Sequence, residues 1–109
     1  MKMVFMSFFE GKTDEVIELL ESEQIESYTH WPKTQGKAAG FRPRMGTQVW
    51  PGNDGAVLFP IDDDRLDSLM EKVELFNQKA EYEGLSAFAF DITRMAVKEP
   101  SGGIGENDK

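Results

Sequence analysis

Four cations, Lys33, Lys37, Arg42 and Arg44, share a short stretch with Gly36, Gly40 and Gly46, and no acidic residue lies among them. The acid-free interval runs from Ser27 to Asn53, in a chain with 20 acidic against 12 basic residues. Charges that serve only solubility mix their signs. A segregated cluster sets up a local field that attracts anions, and glycines leave backbone N–H groups free to join in. Arginine adds bidentate reach toward carboxylate or phosphate. The chemistry indicated is anion binding, of a small ligand or of a partner's acidic surface. The plain alternative is a solvated, flexible loop.

Other residues carry weaker signals. His30 is the only histidine. Histidine is the usual acid/base group and metal ligand near neutral pH, but a lone His beside Trp31 is more often a packed strand residue. Further metal ligands would have to be carboxylates, so no metal site is assigned. The triplet Asp62, Asp63, Asp64 suits a helix start better than a cation site. Gly11, Lys12 and Thr13 read GKT between a strand and a helix, where a phosphate loop would sit. Such a loop needs a glycine five residues earlier, and Met6 stands there. Trp31 and Trp50 flank the basic segment, as core or interface aromatics or as the walls of a cleft for a flat ligand. No catalytic residue and no cofactor follow from these patterns.

The elements that position these residues are legible as patterns. MVFMSFF (3–9) is a largely apolar run that reads as a buried strand. After Gly11, TDEVIELLESEQI places Val16, Ile17 and Leu20 at helical spacing, with Thr13 or Asp14 as cap. SYTHW (27–31) reads as a second strand ending at Pro32. Residues 32–55 hold three prolines and five glycines, a loop composition. AVLFPI (56–61) is a third strand, with Pro60 near its end or at an unpaired position. From the Asp triplet, Leu66, Leu69, Met70, Val73 and Phe76 mark an amphipathic helix to about Tyr82, stopped by Gly84. LSAFAFDI (85–92) alternates, with Phe88, Phe90 and Ile92 on one face.

The order β-α-β-β-α-β predicts an α+β, ferredoxin-like sandwich. A four-stranded antiparallel sheet carries both helices on one face, with a long loop between strands 2 and 3. Residues 1–97 form the single domain, and 98–109 a flexible polar tail. The two-faced apolar character of the first strand predicts that another subunit covers the second sheet face.

With 39% apolar residues and eight Phe, the chain can build a core. It has no cysteine, which excludes disulfides and thiolate metal sites and favours a reducing, cytoplasmic setting. The short apolar run near the N-terminus has no cleavage signal, and no stretch reaches the roughly 20 residues a bilayer requires, so no membrane insertion is expected. A net charge of −8 argues against nucleic-acid binding.

In layout, residues 1–97 resemble the nitrogen-regulatory PII signal proteins and the related CutA-like proteins. The likeness is concentrated in YTHWPKTQGKAAG and AVLFPIDDDRLDSLMEKV. PII proteins carry G-x-G-R-Q-K-G at the base of their long T-loop. QGKAAG matches it at Gly36 and Gly40, with Lys37 in the arginine position. The family run EIVV-D-x-x-x-D into the second helix is echoed by VLFPIDDDRLD. Other positions depart. The glutamine that helps hold magnesium with ATP is Ala38, and the lysine after it is Ala39. The phosphate-binding B-loop T-G-x-x-G-D-G-K-I-F shrinks to EYEGLSAF, where Gly84 alone is placed. Of the paired arginines after the last strand, Arg94 remains.

The resemblance implies a homotrimeric, non-catalytic signalling protein with weak or no MgATP binding. A small anionic ligand would lie in clefts between subunits, against Gly36, Lys37, Gly40, Arg42, Arg44, Gly84 and Arg94. The loop 33–53 would dock on a partner such as a membrane transporter or a regulated enzyme. Two alternatives stand beside it: a dimeric ferredoxin-like enzyme using His30, and a CutA-like metal-binding protein.

Overall fold

The computed structural model describes residues 1–81 and 84–100. Four strands, β1 (Lys2–Phe9), β2 (Thr29–Thr34), β3 (Asp54–Ile61) and β4 (Leu85–Asp91), and two helices, α1 (Thr13–Ser22) and α2 (Asp63–Lys79), follow the order β-α-β-β-α-β. The strands form one sheet in the order β2-β3-β1-β4, with every neighbouring pair antiparallel. The ferredoxin-like expectation holds.

Alternation along the strands divides the sheet into two faces. On the helix side, Val4, Met6 and Phe8 of β1 meet Val57, Phe59 and Ile61 of β3, and Val16, Leu20, Leu69 and Val73 close over them. Met3, Phe5 and Ser7 point to the other face, opposite Pro60, Leu58 and Ala56 on β3 and Phe90, Phe88 and Ser86 on β4. No helix among the described residues is packed on this second face.

The element ends differ from the sequence reading in instructive ways. β2 continues through Pro32 instead of ending there. It is an edge strand, so the missing N–H costs no ladder bond on its free flank, and its pairing shifts register between Trp31 and Thr34. Pro60 sits inside β3 but beyond Thr29↔Leu58, the last β2 pair, where that flank of β3 is open. Neither Thr13 nor Asp14 caps α1. A 3-10 turn (Glu10–Lys12) leads into the helix, and the Thr13 hydroxyl donates back to the Glu10 carbonyl at 2.7 Å. α1 stops at Ser22 because Gln24 takes a left-handed conformation (φ 59°) and the Ile25 N–H returns to the Leu20 carbonyl at 3.0 Å. That closure buries Ile25.

α2 ends at Lys79, short of the expected Tyr82, which lies outside the described residues. Asn77 shows why. Its side chain turns off the helix to bracket Leu85, accepting that residue's N–H at 2.8 Å and donating to its carbonyl at 3.0 Å. β4 is thereby anchored to the last turn of α2. Gly84 fits only because it has no side chain, since a Cβ there would lie 1.8 Å from Asn77 Oδ1. Of the expected tail, 101–109 also lie outside the described residues.

One polar cluster joins the helices. Glu23, buried among apolar neighbours, accepts from Lys72 Nζ at 2.8 Å and from the Ser68 hydroxyl at 3.1 Å. Lys72 also donates to the Ser22 hydroxyl at 2.9 Å. A carboxylate enclosed this far needs such partners to offset its lost hydration.

Candidate functional site

Beyond Thr34 the chain runs up from β2 and narrows at a single bridge. Gly36 and Arg44 exchange backbone hydrogen bonds at 2.9 and 2.8 Å, closing the segment 37–43 into a loop of its own. A second tie lies at the end of β1. Glu10 N–H donates to the Asn53 carbonyl, and the Glu10 carboxylate accepts the Asn53 N–H, both at 3.0 Å. The expected long loop is therefore pinned at its base.

Below the bridge a cleft of about 670 Å³ opens on the helix-free face. That size is ordinary for a small-molecule site. Its floor and sides are aromatic: Phe5, Phe9, Trp31 and Phe88. Ser7 and Ser86, paired across β1 and β4, supply hydroxyls, and Thr34 and Gln35 add polar groups. The rim is Gly36, Lys37, Ala38 and Ala39 on one side and Gly84 on the other.

Three charged side chains line the cleft among the described residues: Lys37, Arg44 and Asp54. Arg44 Nη1 donates to Asp54 Oδ1 at 3.1 Å, with both side chains largely enclosed. The guanidinium also stacks on Phe9, 4.7 Å from the ring centre. Asp54 presses so closely on the loop base that a Cβ at Gly36 would lie 2.0 Å from Asp54 Oδ2. Gly36 is thus required by the approach of a carboxylate.

Of the seven residues expected to bind ligand, the structure brings Gly36, Lys37, Arg44 and Gly84 to one cleft. Gly40, Arg42 and Arg94 lie away from its lining, and all three are exposed. Gly40 has φ 85° with open space around it, and Arg94 follows the end of β4. Trp31 forms a wall, whereas Trp50 is exposed in the loop, its backbone N–H donating to the Thr47 hydroxyl. His30 faces the helix side, opposite Val57, and its Nε2 is enclosed without a hydrogen-bond partner. The residue the sequence reading missed is Asp54. It is the first acid after the acid-free interval, the one signal that marks it. No three His, Cys, Asp or Glu side chains converge among the described residues. No helix among them is long and apolar enough to cross a membrane.

No family model matches the chain, and no curated protein matches it in sequence. Solved structures match it in fold. The PII-like protein CPII of Thiomonas intermedia K12, bound to ADP and bicarbonate, superposes with a TM-score of 0.68 at 15% identity over 84% of each chain. The same protein bound to ADP, AMP and bicarbonate gives 0.64 at 15% identity, over 84% of this chain and 90% of that one. A PII-like signalling protein from Thermus thermophilus gives 0.59 at 12% identity, over 82% and 83%. The chain has the PII-like form of the ferredoxin-like fold.

Proposed function

We propose that this chain is a divergent PII-like regulator, a cytoplasmic, non-catalytic binding protein that senses a small anion. The observation that carries the reading is the cleft under the loop base, where Lys37 and Gly36 meet Gly84 across an aromatic floor. CPII binds ADP, AMP and bicarbonate on the same fold, which supports an anion of that kind here. Residues 1–97 would act as one domain. The protein would assemble as a homotrimer through its helix-free sheet face, where Phe88 and Phe90 are 60% and 53% exposed. Each cleft would then lie beside a subunit boundary. Arg42 on the loop, with Lys33 at the end of β2, would meet the partner's acidic surface, and ligand binding would order the loop for docking. A membrane transporter or an enzyme under its control is the kind of partner intended.

A thermal-shift screen of the full chain with bicarbonate, phosphate, AMP, ADP and divalent cations tests this. A ligand that binds only the folded state raises the melting temperature by mass action. The reading expects a rise with bicarbonate or AMP that is lost in Lys37→Gln. No rise with any anion at millimolar concentration contradicts it.

A further inference from the structure

We infer that Asp54 limits the negative charge of the ligand this cleft accepts, selecting anions of low charge that carry a ring or other apolar body. The inference rests on the cleft being the anion site proposed above, and it adds a specificity residue that anion binding alone would not call for. Among the described lining residues the charges are two cations and one carboxylate. The carboxylate is paired with Arg44 at 3.1 Å, so part of that cation's field is already spent. Lys37 is exposed and lines the cleft. The cleft therefore offers about one net positive charge to an incoming anion.

Asp54 cannot readily turn away to relieve this. Arg44 holds one oxygen, and the other lies against the backbone of Gly36 with no room for a Cβ between them. The Arg44 and Asp54 side chains are only 16% and 15% exposed, so water screens their charge less than at an open surface. A ligand with one phosphate or carboxylate can place it at Lys37 and lay its apolar part on Trp31 and Phe88. A polyphosphate of the same ring must bring further negative charge toward a fixed carboxylate, in a chain that is already acidic.

Calorimetric titration of the full-length protein with AMP, ADP and ATP, without magnesium, tests this on one constant ring. The expected order of affinity is AMP over ADP over ATP. Asp54→Asn keeps a hydrogen-bond acceptor for Arg44 and removes the charge. It should tighten ATP by about tenfold and AMP by less than about threefold, flattening the series. Circular dichroism confirms that the variant is folded. If it is not, the order in the unmodified protein decides alone. Affinity that rises with each phosphate, or a series unchanged in Asp54→Asn, overturns the role of Asp54 and leaves the anion site standing. No binding of any nucleotide, bicarbonate or phosphate removes the anion site and this inference with it.

Discussion

The two faces of the sheet are written by alternate residues of the same strands, and their surroundings are opposite. Val4, Met6, Val57 and Phe59 are sealed beneath two helices. One residue along each strand, Met3, Phe5, Leu58 and Phe88 make a second apolar layer with no helix over it among the described residues. The described residues form two α-helices, and right-handed crossovers place both on one side. Folding of the described residues therefore leaves this apolar side without a helix against it. Its aromatic residues serve the cleft at one end, and their excess exposure is what a contact with other copies would bury.

The largest expected effect is on the closed face. Phe59→Ala should cost about 3–5 kcal/mol, read by chemical denaturation. Equal losses for Phe88→Ala at concentrations where the chain is monomeric would erase the distinction between the faces. Next is the helix pair. Lys72→Met leaves the enclosed Glu23 carboxylate with the Ser68 hydroxyl alone among its described side-chain partners, and should cost about 1–2 kcal/mol. On the open face, Phe88→Ser with Phe90→Ser should change the stability of the isolated chain by less than about 1 kcal/mol while reducing the mass of the assembly in light scattering.

The smallest effects belong to two exposed ion pairs at the sheet end. The Asp91 carboxylate, hydrogen-bonded to Lys2, raises the Lys2 amine above its ordinary pKa. The Met1 ammonium, 2.6 Å from Asp63, lowers the Asp63 carboxyl below its own. The Asp63 contribution is present above the unfolded carboxyl pKa and lost as pH falls through the lowered folded value. The Lys2 contribution is present below the unfolded amine pKa and lost as pH rises through the raised folded value. Both are solvated pairs, so Asp63→Ala and Asp91→Asn should leave the melting temperature unresolved from the parent at neutral pH.

The fold was readable because its signals are local. The run 3–9, the Asp triplet before Leu66, and the alternation of Phe88 and Phe90 each name an element without knowledge of its neighbours. The passage of β2 through Pro32 was not readable, since it depends on β2 being an edge. The candidate site was half readable. Glycine and cation density pointed to the loop base at Gly36 and Lys37. Arg44 was named for its charge, but its engagement with Asp54 and Phe9 depends on how the loop folds back onto the end of β1. Arg42 and Arg94 share the chemistry of a binding residue and lie away from the lining of this cleft.

The central claim is that the open face is covered by further copies of the chain, with the cleft at the boundary. Light scattering coupled to size exclusion, at micromolar concentration, tests it most directly. The account predicts a single species of three times the 12.3 kDa chain mass. A species of 12.3 kDa, or of twice that mass, would contradict it.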